Sequence, residues 1–238
     1  MAGEADFSAP AEVHTFGGLL FDLDGTVIDS TEAIIKHWHK IGKQLGVDPN
    51  VILASSHGRR SIDTLKLYDP SLANMEYVAH IEGLIPKEFG QDAVEVPGSR
   101  ALLDQIEALG APWAIVTSGT RPLATGWLEI MKLAQPKNFV TAEDVDEGKP
   151  DPACYRLGHS KLGIPASAAT LVLEDAPAGV RAGKAAGFKV VALATTHSVD
   201  QLKAAGADWI VRDMRSVRVM GYDERLIKVR IADSVLLG

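Results

Sequence analysis

Gly17-Gly18-Leu19-Leu20-Phe21-Asp22-Leu23-Asp24-Gly25-Thr26 decides the reading of this chain. A short apolar run closed by a turn residue reads as a buried strand. Carboxylates at i and i+2 on its C-terminal end point the same way, out past the edge of the sheet. Two like charges that close are costly to bury unless a cation sits between them or one holds a proton. Gly25 allows a sharp turn beside them, and Thr26 can hydrogen-bond that turn. Such an arrangement serves a divalent metal together with a nucleophile and an acid/base partner. The plainer alternative is a turn closed by an Asx hydrogen bond.

The 238 residues, 46% hydrophobic and 23% charged, can fill the core of one large domain or two small ones. A formal net charge of -7 speaks against nucleic acid as a partner, because gripping a phosphate backbone needs concentrated Lys and Arg. Arg212, Arg215, Arg218, Arg225, Lys228 and Arg230 do cluster, but Asp213, Asp223 and Glu224 interrupt them, which reads as a solvated surface. Cys154 is the single cysteine; it excludes an internal disulfide, fits a reducing compartment and reads as a packed thiol. The first sixteen residues carry Glu4, Asp6 and Glu12 and no apolar stretch, so they read as neither a secretory signal nor a transit peptide. Residues 1–15 are expected to be a flexible tail. No run approaches bilayer-spanning length. A soluble, cytoplasmic monomer is expected, with no membrane and no nucleic-acid partner.

From about residue 30 to 96 the patterns are helical. The first helix runs from Ser30, as a cap, to Leu45, with Gly46 as a stop; others cover about 49–55, 61–68 and 74–86. Val96-Pro97-Gly98 ends that territory. Beyond it, helices alternate with apolar strands at Trp113–Thr117, Phe139-Val140, Thr170–Glu174, Lys189–Leu193 and Trp209–Val211. That alternation predicts a parallel sheet with right-handed crossovers, whose ligands sit beyond the C-terminal strand ends. Val217–Met220 and Ile227–Ile231, around Gly221-Tyr222-Asp223, read as a terminal hairpin. Gly179-Val180-Arg181-Ala182-Gly183-Lys184 has three residues between its glycines where a nucleotide-binding loop needs four, and no strand leads into it. It reads as a helix packed tightly on the sheet.

Three further segments follow the opening motif: Trp113-Ala114-Ile115-Val116-Thr117-Ser118-Gly119, Gly148-Lys149-Pro150, and Val172-Leu173-Glu174-Asp175-Ala176-Pro177-Ala178-Gly179. One Asp-x-Asp-Gly-Thr recurs by chance. Four ordered pieces, three of them at predicted C-terminal strand ends, resemble the signature of the haloacid dehalogenase superfamily, specifically its aspartate-nucleophile phosphatases. The resemblance implies an α/β fold, with a Rossmann-like parallel-sheet core (residues 1–29 and 97–238) and an inserted α-helical cap (residues 30–96). It also implies the chemistry. Asp22 attacks phosphorus and forms an aspartyl-phosphate. Asp24 protonates the leaving alcohol, then deprotonates the hydrolytic water. Mg2+ takes the Asp22 carboxylate, the Asp24 backbone carbonyl and Asp175, with Glu174 acting behind them or through water. Thr117 and the Ser118 amide hold phosphate oxygens, Gly119 permits close approach, and Lys149 pins the phosphate and the Asp22 carboxylate. A plain Ser/Thr helix cap and a solvent-facing lysine are the blander alternatives.

Closer likeness is to the fungal glycerol-3-phosphatases and their 2-deoxyglucose-6-phosphate phosphatase relatives. It is carried by Ser56-His57-Gly58-x-Arg60, Glu82-Gly83-x-Ile85-Pro86, Val94-Glu95-Val96-Pro97-Gly98 and Thr117-Ser118-Gly119-Thr120-Arg121. It implies hydrolysis of a small-molecule phosphomonoester, glycerol 3-phosphate (glycerol 1-phosphate) ahead of 2-deoxyglucose 6-phosphate. His57 and Arg60 are the candidate substrate contacts from the cap, since a helix gap with Gly and two guanidinium groups suits an anion or a hydroxyl. An exposed basic turn is the alternative there, and Arg59 departs from both branches. The superfamily's hexose-phosphate mutases carry a cap-entry histidine where this chain has Ile34, so hydrolysis is expected over transfer. A catalytically silent binding protein would have lost a catalytic group, whereas Asp22, Asp24, Thr117, Lys149 and Asp175 are all present.

Overall fold

The computed structural model describes residues 5–56 and 58–236. The chain opens with β1 (Glu12–Phe16), β2 (Gly18–Phe21) and β3 (Ile28–Asp29), followed by α1 (Thr31–Leu45), α2 (Pro49–Ser56), α3 (Ser61–Tyr68), α4 (Met75–Phe89) and β4 (Val94–Glu95). Alternation then sets in: α5 (Ser99–Ala108), β5 (Trp113–Val116), α6 (Arg121–Met131), β6 (Asn138–Val140), α7 (Ala153–Lys161), β7 (Thr170–Glu174), α8 (Pro177–Ala185), β8 (Lys189–Leu193), α9 (Val199–Ala204) and β9 (Trp209–Val211). The hairpin β10 (Val217–Asp223) and β11 (Leu226–Ile231) follows.

Six strands form one sheet in the order β6-β5-β2-β7-β8-β9, and every neighbouring pair is parallel. Successive side chains point to opposite faces, so strands covered on both sides read as unbroken apolar runs. Leu19, Phe21, Ile115 and Leu173 pack on one face with Ile106 of α5 and Trp127 of α6. Leu20, Ala114, Val116 and Val172 pack on the other with Tyr155 of α7 and Val180 of α8. The strand order reverses at β2, which lies between β5 and β7. The crevice beyond the C-terminal ends of these three strands is therefore the topological switch point.

Helices α1 to α4 hold a core of their own, built from Trp38, Ile41, Ile52, Leu65, Val78 and Ile81. They leave the sheet and return to it through a short antiparallel stem, with Ile28 opposite Glu95 and Asp29 opposite Val94. Gly46 stops α1 in the left-handed region at φ 66°, as its sequence position suggests. Ser30 sits at the N-cap of α1 but makes no capping hydrogen bond with its side chain. Its hydroxyl serves the site instead.

One boundary differs from expectation. The flexible tail foreseen through residue 15 gives way at Glu12 to β1, which pairs antiparallel with β11 from Glu12 opposite Ile231 to Phe16 opposite Ile227. The partner strand lies at the far end of the chain, so no local pattern announces the pairing. Among the described residues no helix is long and apolar enough to cross a membrane.

Gly98 turns the chain from the stem into α5 at φ 94°, and a Cβ there would lie 2.6 Å from the Arg215 nitrogen. Left-handed backbone and main-chain overlap both oppose a side chain. Gly98→Ala is expected to destabilise the protein by about 2 kcal/mol or more, read as a lower urea midpoint at unchanged m.

Candidate active site

Asp22 follows directly on β2, and its backbone N–H donates to the Leu173 carbonyl of β7 at 3.0 Å. Its carboxylate is buried and accepts from Lys149 Nζ at 2.6 Å. The same ammonium donates to Glu174 Oε1 at 2.7 Å and to the Val116 carbonyl at 3.1 Å. Tyr155 Oη donates to Glu174 Oε1 at 2.9 Å, and the Lys149 ammonium lies 5.1 Å from the centre of the Tyr155 ring. Glu174 Oε2 accepts the backbone N–H groups of Asp175 and Ala176 at 3.0 and 2.9 Å. Gly179 makes room for this carboxylate, since a Cβ there would sit 1.6 Å from Glu174 Oε1.

Asp175 is fully buried; Thr26 Oγ1 donates to its Oδ1 at 3.0 Å, and the Thr196 hydroxyl donates to Oδ2. Carboxylate oxygens of Asp22, Glu174 and Asp175 lie within 4.8 Å of one another. Three carboxylates thus face the Lys149 ammonium. Burial is the largest influence on Asp22 and pushes its carboxyl up, Lys149 opposes, and Glu174 and Asp175 add to the rise. Burial would lower the Lys149 ammonium, but Asp22 and Glu174 outweigh it and hold the group well above its ordinary value. A divalent cation bound by oxygen fits this surplus of negative charge. Cys154 is buried nearby, and burial pushes its thiol up to about 11, in keeping with a packed side chain.

Asp24 is half-buried and accepts from Ser30 Oγ at 2.6 Å. Thr117, past the end of β5, accepts the Gly119 N–H on its hydroxyl at 2.9 Å. Asp22, Asp24, Thr117, Ser118 and Gly119 share one cavity of about 70 Å³. The helical segment closes its other side with Ile34, Trp38, Ser61 and Glu82, and Arg59 also faces it.

Two cap candidates fall differently. His57 lies outside the described residues. Arg60 does not line the cavity but turns away from it, with its buried guanidinium donating to the carbonyls of Val145 and Asp146 at 2.7 Å each. Its Nε donates to Asp63 Oδ2 at 2.8 Å. A planar group with five donors finds better acceptors in the unpaired carbonyls of that core loop than in the cavity. The adjacent Arg59 is the guanidinium left facing the cavity.

Residues 19–193 match the family described as haloacid dehalogenase-like hydrolase. The chain belongs to that family. The hydrolase is 42% identical over 220 residues to glycerol-1-phosphate phosphohydrolase 1 of Saccharomyces cerevisiae, covering 89% of this chain and 88% of the relative. It is 34% identical over 230 residues to 2-deoxyglucose-6-phosphate phosphatase 2 of the same yeast, covering 89% and 94% of the two chains. A crystal structure of a hydrolase from Pseudomonas syringae superposes with a TM-score of 0.72 at 26% identity, over 83% of this chain and 94% of that one. The Rossmann-like core with an inserted helical cap is the fold these likenesses share.

Glu82 is the site group that residue-by-residue reading passed over. It is 3% exposed, accepts from Ser61 Oγ at 2.5 Å, and accepts the Thr120 N–H at 2.7 Å. A signal was present: Val78, Ile81, Glu82 and Ile85 fall on one face of α4, and all four are buried. In the hydrolase, Arg60 spans from the helical segment to the core loop, so Arg60→Ala is expected to lower stability by about 2 kcal/mol or more. Limited proteolysis is expected to quicken in the Arg60 loop and in residues 142–147.

Proposed function

We propose that the chain is a Mg2+-dependent phosphatase that hydrolyses small polyol or sugar phosphomonoesters through an aspartyl-phosphate, with glycerol 1-phosphate (glycerol 3-phosphate) as its substrate. The observation that carries this reading is the buried set of Asp22, Lys149, Glu174 and Asp175, which meets a small cavity at Asp22, in a chain 42% identical to a glycerol-1-phosphate phosphohydrolase. Residues 30–96 act as a cap over a core of residues 1–29 and 97–238; the stem between β3 and β4 supports those limits.

In the first step an Asp22 carboxylate oxygen attacks phosphorus. The bond to the ester oxygen breaks, and that oxygen leaves with the electron pair and takes a proton from Asp24. In the second, Asp24 takes a proton from water as its oxygen attacks the same phosphorus, and the bond to Asp22 breaks to release phosphate. Ser30, whose hydroxyl donates to Asp24 Oδ1, orients that acid. Lys149 offsets the charge that builds between nucleophile and phosphate, and Thr117, Ser118 and Gly119 cradle the phosphate oxygens. Mg2+ would be held by the Asp22 carboxylate, the Asp24 carbonyl and Asp175, with Glu174 behind them or through water, and would supply electrostatic stabilisation of the phosphoryl oxygens.

Ile34 in the cavity wall supports hydrolysis over transfer between sugar positions, since an aliphatic side chain offers no group to hold the intermediate for a second alcohol. A cavity of about 70 Å³ is small beside the roughly 300–1,000 Å³ of drug-sized sites, which supports a small phosphomonoester. The lone buried Cys154 suits a reducing compartment such as the cytoplasm.

Asp22→Asn is expected to lower kcat by at least about a thousandfold while leaving the circular dichroism spectrum intact. More than trace turnover in cleanly purified variant would contradict the covalent route. Chelation of Mg2+ should silence phosphate release, and Ca2+ should restore it poorly because its larger, looser shell misplaces the attacking carboxylate. Equal rates with the two ions would count against the assigned ligands. Comparing kcat/KM for glycerol 1-phosphate and 2-deoxyglucose 6-phosphate decides between the two substrates.

A further inference from the structure

Glu82 is a carboxyl that the hydrolytic steps do not use. It belongs to α4, on the cap side of the cavity that also contains Asp22 and Asp24, and it is 3% exposed. A buried carboxylate is costly unless its lone pairs are used. Ser61 Oγ takes one site on Oε1 and the Thr120 N–H takes one on Oε2. A carboxylate has about four acceptor sites. The Thr120 hydroxyl also lies against the carboxylate and favours its charged form, so about one acceptor site remains, while the anchors to α3 and to the start of α6 fix the carboxyl plane. Ile34, Trp38 and Leu123 line the same cavity and contribute no acceptor through their side chains, whereas Thr31, Ser56 and Arg59 line it with polar groups. Burial pushes the Glu82 carboxyl up to about 7, and the charge of Asp24 adds to that rise.

We infer that Glu82 is the specificity-determining residue of the cavity, and that its carboxylate accepts a hydrogen bond from a hydroxyl of the departing alcohol. This inference rests on the phosphatase reading above. It assigns recognition of the alcohol to α4 rather than to Arg60, whose donors are spent on core carbonyls. Phosphate recognition stays with the strand ends, and hydroxyl recognition falls to one fixed carboxylate on the cap. A site built to bond a hydroxyl rejects the analogue that lacks it, because its own polar group is then left unpaired in a dry cavity.

The test compares glycerol 1-phosphate with propyl phosphate, which keeps the ester and the carbon count but lacks both hydroxyls. Assays at about pH 8 with Mg2+ keep most of the Glu82 carboxyl ionised. Wild-type protein is expected to favour glycerol 1-phosphate in kcat/KM by roughly ten- to hundredfold per hydroxyl read. In Glu82→Gln that ratio should collapse toward one. The amide can still accept from the Thr120 N–H and donate to Ser61 Oγ, so the cap stays seated while the charged acceptor is lost. Glu82→Asp keeps the charge but withdraws it by one methylene, so it should show the same collapse and serves if the amide variant fails to fold.

Equal wild-type kcat/KM on both esters would overturn the inference and leave the phosphatase reading standing. A wild-type preference that survives both substitutions would overturn it too, placing discrimination elsewhere and leaving Glu82 a link between cap and core. Absence of Mg2+-dependent phosphate release from either ester would overturn both readings together.

Discussion

The ammonium of Lys149 binds one acceptor from each of the three central strands of the sheet. Asp22 stands just beyond β2, the Val116 carbonyl ends β5, and Glu174 ends β7. Taking such charges out of water costs several kcal/mol per ion and is offset only by close, complete pairing. Each partner is accordingly tied again: Glu174 by Tyr155 and two backbone N–H groups, and Asp175 by two threonine hydroxyls. Gly179 follows from the same constraint, since α8 must approach the Glu174 carboxylate more closely than any side chain would permit. The surplus of negative charge left at the centre is what a divalent cation would neutralise. The central charge network thus fixes the relative placement of the Asp22, Glu174 and Asp175 carboxylates.

Between the helical segment and the sheet, the polar links end mostly on main-chain atoms of one side or the other. Arg60 reaches the carbonyls of residues 145 and 146, Ser118 Oγ donates to the Gly58 carbonyl at 3.1 Å, and Glu82 accepts the Thr120 N–H. Backbone acceptors and donors have fixed positions, so the seam closes in a defined register without long side chains having to be ordered on both sides. Packing reinforces it: Gly83 lies against Pro122, and Gly126 lies against Pro86, with an added Cβ in either place 2.9 Å from the proline ring. Within this seam α4 runs on through Pro86 to Phe89. The closed seam keeps apolar Ile34, Trp38 and Leu123 over Asp24, and exclusion of water strengthens every charge interaction beneath them.

Fold elements that bury both faces were legible from the residues. The apolar runs at 113–116, 170–174, 189–193 and 209–211 read as strands of a parallel sheet, and α1 follows an equally plain period. What escaped was pairing at long range. Strand β1 is exposed on much of its surface and owes its conformation to a ladder with β11 at the other end of the chain. Ser30 was misread for a related reason. Its local position is that of a helix cap, yet its hydroxyl goes to Asp24, which the fold brings beside it.

The site divides along the same line. Groups that act on phosphorus sit at strand ends, where a few residues of chain carry the strand, the turn and the reactive side chain together. They form short readable motifs for that reason, from Asp22 to Gly25 and from Glu174 to Gly179. Groups that line the cavity from the helical segment come one side chain at a time, and no motif gathers them. Arg60 drew attention by its charge, but a guanidinium bonds wherever carbonyls are unpaired, so charge alone could not say which way it turned. Glu82 carried the more telling sign, a carboxyl on the buried stripe of an amphipathic helix. Burial without a matching cation in the helix demands neutral donors: Ser61 and the amide and hydroxyl of Thr120 meet most of that demand, and the cavity is the open side from which another could come.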